Sequence, residues 1–150
     1  MDFKRAGDNG ASFSSSDRKN YEKALSGFAN TEGGVIIWGI DCRDKNDGRG
    51  DTARFKVPLS NPAAFKSWLE GATSGLTIPV VNGVQHVAIE ETPGSGYVVT
   101  LIPKSQMPPH QSVTEKRYYM RAGSDFVPVG HSILAGIFGR VPSPDVIPTY

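Results

Sequence analysis

Phe28-Ala29-Asn30-Thr31-Glu32-Gly33-Gly34-Val35-Ile36-Ile37-Trp38-Gly39-Ile40-Asp41 is the stretch on which the fold turns. Upstream of it, Tyr21, Leu25 and Phe28, with Ala24 and Ala29 beside them, recur at helical spacing and give one apolar face over residues 17–31. Downstream, Val35 to Ile40 is a short, nearly continuous apolar and β-branched run, the pattern of a buried strand. Gly33 and Gly34 stand between the two. A chain reversing from a packed helix into a buried strand needs residues without side chains there, because a Cβ would clash or demand forbidden dihedrals. Asn30 and Thr31 are suited to capping backbone groups at the same turn. The polar run SFSSS at 12–16 leads into the helix, and Ser14 with Asp17, or Ser16 alone, can cap its first amides.

Residues 41–54, DCRDKNDGRGDTAR, read as a polar surface loop at the end of that strand. A second helix is predicted over 62–72, capped by Ser60 or Asn61, with Pro62 in its first turn and Phe65, Trp68, Leu69 and Ala72 on its apolar face. After the Asn82-Gly83 turn, Val87 and Ile89 alternate with polar neighbours in a strand near 84–91. TPGSG (92–96) separates it from a more apolar strand at 97–102, and the pair reads as an antiparallel hairpin. Pro103, Pro108 and Pro109 break regularity until a strand at 118–121 that closes at Ala122-Gly123. A short helix at 131–139 carries Ile133, Leu134, Ile137 and Phe138, and the tail VPSPDVIPTY has linker composition. The expected fold class is α+β: a twisted mixed or antiparallel sheet of about five or six strands, two main helices and a short C-terminal helix. Residues 1–140 form the domain and 141–150 the exit segment.

At 150 residues, 38% of them hydrophobic, the chain can bury a core as one domain without disulfides or a structural metal. Its single cysteine, Cys42, cannot form an intrachain disulfide, which fits a reducing compartment. The opening residues lack the apolar run of a signal peptide, and nowhere do ~18 apolar residues follow one another, so a cytoplasmic location and no membrane partner are expected. The formal net charge of +1 argues against nucleic-acid binding by bulk charge. Charge is uneven, however: residues 1–50 hold eight basic and eight acidic side chains, 51–100 three and four, and 101–150 five and three. Any basic face is therefore local and assembled by folding. No glycine-rich phosphate loop followed by Lys and Ser or Thr occurs, which counts against ATP hydrolysis. The acidic loop misses calcium spacing, since with Gly48 at the sixth position Arg43 and Lys45 would be the first and third ligands. Nothing beside Cys42 would lower its pKa, so it reads as a buried or unreactive thiol.

The 28–41 stretch closely resembles the signature of the Schlafen-type divergent AlbA domain. Other segments fall in that family's order: Asp2-Phe3-Lys4 is similar to its opening strand, Ile102-Pro103-Lys104-Ser105 with Pro109-His110 to its middle loop, and Tyr118-Tyr119-Met120-Arg121-Ala122-Gly123-Ser124 to its late strand. The resemblance implies a nucleic-acid-binding domain, for DNA or RNA, within a larger bacterial-type regulatory or defence protein. In nucleolytic members three acidic residues form the site. Two map onto Asp2 and Asp41, and the third, a glutamate, would lie before residue 1. This gives a second hypothesis, a metal-dependent nuclease in which Asp2 and Asp41 are catalytic and hold Mg²⁺ or Mn²⁺. A protein-interaction scaffold is the third, since a fold does not fix an activity. A nucleic acid is the expected partner, and a homo-oligomer is compatible with the sequence.

Lys4, Arg5, Lys104, Lys116, Arg117 and Arg121 are candidates for phosphate contacts, with Tyr118 and Tyr119 for base stacking. Consecutive residues on a strand face opposite ways, so one tyrosine faces a groove and the other the core. Arg121 has two readings, phosphate contact or a buried ion pair with an acidic residue of the junction. His110 likewise fits either a structural hydrogen bond or proton transfer.

Overall fold

A computed structural model describes residues 1–42 and 55–140. Most of the 41–54 loop and the whole 141–150 exit segment lie outside the described residues. The chain runs β1 (Asp2–Lys4), α1 (Ser15–Ala29), β2 (Gly34–Trp38), β3 (Ile40–Asp41), β4 (Phe55–Lys56), α2 (Pro62–Thr73), β5 (Thr77–Ile78), β6 (Gln85–Thr92), β7 (Ser95–Ile102), β8 (Gln111–Ser112), β9 (Tyr119–Ala122), β10 (Asp125–Pro128) and α3 (His131–Arg140). The fold is α+β. Its main sheet has the order β1-β2-β7-β6, and β3-β4, β5-β8 and β9-β10 form two-stranded ladders beside it. Within the main sheet β1 runs parallel to β2, whereas β2-β7 and β7-β6 are antiparallel, so the sheet is mixed.

The helix-to-strand junction works as its composition requires. Ser14 and Asp17 form a reciprocal capping box at the start of α1, and Asp17 Oδ1 also accepts from Gly7 N at 2.9 Å. At the other end Gly33 takes a φ of +76°, and a Cβ there would stand 2.7 Å from the Ile102 carbonyl oxygen. A Cβ on Gly34 would meet the Phe28 ring at 2.3 Å. The two glycines thus let α1 fold back directly onto the strand that follows it.

Register separates the sheet's two faces. Ile36, Trp38, Val98 and Ile102 point inward and are buried with Tyr21, Leu25 and Phe28 of α1 and Phe65, Leu69 and Ala72 of α2. Trp38 is the centre, edge-on to Phe65 at 5.2 Å and to Tyr21 at 6.1 Å. A polar chain threads this core. The Trp38 indole donates to Thr100 Oγ1 (3.1 Å), which pairs with His86 Nδ1 (2.8 Å). His86 Nε2 lies 3.5 Å from the Tyr21 hydroxyl, which pairs with Thr73 Oγ1 (2.7 Å). Thr73 donates in turn to the Leu69 carbonyl. Burial pushes the Tyr21 hydroxyl up to about 12 and the His86 imidazole down. On the opposite face, Phe3, Ile37, Val99 and Val87 lie in one row across the four strands.

The described elements depart from the sequence expectations mainly at their ends. Helix α1 starts two residues earlier than 17 and stops at Ala29, where Asn30 leaves the helix to serve other partners. The β6-β7 turn is tighter than TPGSG, with Thr92 already opposite Ser95. Strand β10, pairing with β9 through the Gly123 turn, was not apparent in the sequence, and neither were the two-residue ladders.

Candidate nucleic-acid interface

Parallel pairing of β1 with β2 carries Asp2 and Asp41 into one cleft of about 340 Å³, also lined by Lys4, Arg5, Asn20, Lys23, Asp125 and Phe126. Asp2 pairs with Ile36 in register and so shares its inward side; it is buried. Two cations meet it, Lys4 Nζ at 3.0 Å from Oδ2 and Arg121 Nη1 at 3.5 Å from Oδ1. Both are largely enclosed, with side chains only 14% and 12% exposed. Arg121 is further fixed by the aromatic rings of Phe126, 4.6 Å from its guanidinium, and Phe28, at 5.2 Å. Its Nη2 donates to the Met1 carbonyl and its backbone N–H to Thr31 Oγ1. Phe126 reaches this position because residue 27 is glycine: a Cβ there would stand 2.3 Å from its ring. Of the two readings of Arg121, an ion pair is present, with Asp2 on β1.

Asp41 pairs with Arg5 at 3.6 Å, and the Arg5 side chain is 45% exposed, so a phosphate can reach it. Lys23 lines the same cleft and lies 5.4 Å from the centre of the Tyr119 ring. One helical turn before it, Lys19 shares its face of α1 and pairs with Glu115 at 3.0 Å. Lys19, with Arg117 and Lys23 nearby, holds the Glu115 carboxyl below its ordinary range. Lys19 and Lys23 thus share one face of α1, with Arg5 lining the same cleft as Lys23 and Arg117 close enough to Glu115 to act on its charge. Lys19 and Lys23 were not singled out from the sequence, because on a helix they read as ordinary solvated surface; only their spacing of four residues hinted at a common face.

The remaining candidates sit elsewhere. Lys104 pairs with Glu32 at 3.5 Å beyond the end of β7. Lys116 is exposed with a φ of +54°, in the turn before β9. Tyr119 is the core tyrosine, buried beneath Lys23, and Tyr118 is half-buried with its ring 5.9 Å from Phe138 of α3.

His110 is a structural residue. It is 2% exposed, and its Nδ1 donates to the Pro79 carbonyl at 2.8 Å, which leaves Nε2 to accept from Ser105 Oγ. Its backbone is held as firmly: Asn30 Oδ1 accepts from His110 N, while Asn30 Nδ2 donates to the carbonyls of His110 (3.1 Å) and Tyr119 (2.9 Å). Ser26 Oγ adds a bond to the His110 carbonyl and one from Tyr119 N. Asn30 is thus a staple between α1, the 105–110 loop and β9, and Thr31 makes the local bond to Gly27 O that its position suggested while also accepting from Arg121 N on β9.

Asp2 Oδ2 faces Lys4 and its Oδ1 faces Arg121, and Asp41 Oδ2 faces Arg5, so cations of the protein already stand where a divalent ion would draw on these carboxylates. Among the described residues no group of three or more His, Cys, Asp or Glu is placed to hold a metal ion. The described residues do not fit Mg²⁺ or Mn²⁺.

This α+β architecture, with its helix–GlyGly–strand junction and late arginine strand, defines a known class of domain. The chain belongs to the Schlafen AlbA_2 family, which it matches over residues 1–129. No curated protein matches the sequence closely enough to count as a relative. Two solved structures share the fold. The crystal structure of the DIP2311 protein from Corynebacterium diphtheriae superposes with a TM-score of 0.56 at 18% identity, over 95% of this chain but 24% of that one. The solution structure of the N-terminal domain of a RecG-related protein from Nitrosomonas europaea, named for its relation to an ATP-dependent DNA helicase, superposes with a TM-score of 0.55 at 23% identity. That match covers 87% of this chain and 84% of the domain. No described helix is long and apolar enough to cross a membrane.

Proposed function

We propose that this domain binds nucleic acid along the outside of α1, as one module of a larger regulatory or defence protein. The observation that carries the reading is the set of reachable cations Arg5, Lys23, Lys19 and Arg117, of which Arg5 and Lys23 line the Asp2–Asp41 cleft. Lys4 and Arg121 compensate Asp2 from within, so that buried carboxylate does not repel a phosphate as strongly as a bare one would. Family membership, and a fold shared with a domain of a helicase-related protein, support the same reading. Phosphate contacts of this kind position a strand without reading its sequence.

Fluorescence anisotropy of a labelled single-stranded RNA, a single-stranded DNA and a duplex, each titrated at several salt concentrations, tests it. About four phosphate contacts give a slope near −3 in log affinity against log salt. No association with any of the three at low salt overturns the reading.

Hydrolysis is the second reading, favoured by the shared cleft of Asp2 and Asp41 and opposed by their ion pairs. Incubation with Mn²⁺ or Mg²⁺ is expected to leave a bound strand intact. Cleavage that disappears in Asp41→Ala would establish the nuclease instead.

A further inference from the structure

A cavity of about 560 Å³ lies between the residues that follow β5 and the loop after β7, with apolar walls of Pro79, Val80, Pro103 and Met107. Ser105 and His110 line it together. The bonds that hold His110 in place also prepare its imidazole. A backbone carbonyl can only accept, so Nδ1 carries the proton directed at Pro79 O, and the lone pair of Nε2 faces the Ser105 hydroxyl. That carbonyl is itself held by the buried Thr77 hydroxyl, which donates to it at 3.0 Å. Ser105 is fixed from two sides. Its N–H donates to the Ala29 carbonyl at 2.9 Å, at the end of α1, and its Oγ accepts from Met107 N at 3.0 Å. The hydroxyl thus directs its proton at His110 and keeps one lone pair that no described residue bonds.

We propose that Ser105 is a nucleophile with His110 as its general base, and that the cavity takes esters of short apolar acids. A serine proton aimed at an imidazole of fixed tautomer makes the hydroxyl reactive, and here both backbones are tied to the end of α1 before any substrate arrives. Oγ attacks the ester carbonyl carbon as its proton passes to His110 Nε2. The tetrahedral adduct expels the alcohol, whose oxygen takes that proton, and an acyl-serine remains. Water then attacks the acyl carbon and loses a proton to Nε2; the acid departs and Ser105 regains its hydrogen. The side-chain amides of Asn82 and Gln106 line the same cavity and are the donors available to the oxygen that turns negative. The Pro79 carbonyl brings no full charge to stabilise the imidazolium, as a carboxylate would, so turnover is slow and covalent labelling is the sharper readout. None of Arg5, Lys19, Lys23 and Arg117 lines this cavity, so the activity stands or falls apart from strand binding.

An alkyl fluorophosphonate, which phosphonylates activated serines, tests this on the full chain, read by intact mass and peptide mapping. Hydrolysis of p-nitrophenyl butyrate is followed beside it. The expected result is one adduct per chain, on Ser105, and ester hydrolysis above the buffer rate, both lost in Ser105→Ala. His110→Gln, with an unchanged far-ultraviolet spectrum, is expected to slow labelling about a hundredfold or more, the contribution of a general base. The urea-unfolded wild type is expected to take up no label, because an ordinary serine does not react. A folded protein that stays unlabelled overturns the proposal, as does an adduct mapped to another residue, undiminished labelling in folded His110→Gln, or ester hydrolysis that survives Ser105→Ala. If His110→Gln does not fold, the mapped adduct of the folded wild type against its unfolded control decides.

Discussion

Asn30 looks from the sequence like a helix cap and serves instead as a long-range staple. Its amide makes three bonds to backbone groups 80 and 89 residues away, and those groups have little access to water that could replace it. Asn30→Ala is expected to lower stability by about 2–3 kcal/mol, since it leaves backbone groups unsatisfied. Asn30→Asp is expected to cost at least as much, because a carboxylate can still accept from His110 N but confronts two carbonyl oxygens where the amide donated. Urea unfolding midpoints of the two variants check both statements, and a wild-type midpoint for Asn30→Asp would remove the staple from the account. Nothing in the local sequence announces this role: an Asn at a helix end is common, and its partners are fixed only when the proline-broken 103–110 loop folds back over α1.

Elements were legible where their pattern is periodic and their environment uniform. Helices α1 and α2, strand β2 and the β6-β7 hairpin all repeat apolar residues at helical or strand spacing because one face of each meets the same core. Strand β10 gave no such pattern. Asp125–Pro128 begins on an acid and ends on a proline, and it is a strand because Phe126 packs against Gly27 and Phe28 while its backbone pairs with β9. The candidate site divides the same way: Asp2 and Asp41 were singled out through the family resemblance and Lys4 and Arg5 by their charge, whereas Lys19 and Lys23 enter only through what α1 lies beside. The β6-β7 hairpin also places a titrating group in the core. His86 fits the polar chain when neutral, with Nδ1 accepting from Thr100 and Nε2–H directed at Tyr21. Protonation would turn Nδ1 into a donor facing a hydroxyl that already accepts from Trp38. Burial lowers the folded-state pKa below the ordinary 6.5, so the unfolded chain takes up the proton first. Stability is expected to be complete above about pH 6.5 and to decline as pH falls through the folded-state value. Tyr21 acts at the other limit: its hydroxyl is raised to about 12, so stability present below about pH 10 is lost as pH rises towards that value. Thermal melting at a series of pH values, with His86→Asn flattening the acid side alone, measures both.

At the scale of the whole molecule, a net charge of +1 averages over charges spread unevenly along the chain. Lys19→Glu/Lys23→Glu is expected to weaken association with a labelled strand at least tenfold at low salt and to reduce the salt slope by about two contacts' worth. Lys104→Glu, which removes a cation paired with Glu32 past the C-terminal end of α1 and outside the Lys19–Lys23 face, is expected to change it little. Equal losses from the two variants would mean that binding follows overall charge and that α1 is not the track.

The tie between Arg121 and the opening strand governs the order in which this domain can form. The guanidinium bonds to the carbonyl of residue 1, 120 positions back along the chain, and holds Asp2 beside it. During synthesis β1 emerges first, yet its buried carboxylate has only Lys4 as a partner until β9 has been made. Closure of so long a loop is costly in entropy and belongs late in folding. Arg121→Lys, which keeps the charge but loses the planar fork, is therefore expected to speed unfolding more than it slows refolding, as the two arms of a chevron plot would record. Arg121 would then act as a clasp fastened last, setting the lifetime of the folded domain more than the time it takes to assemble.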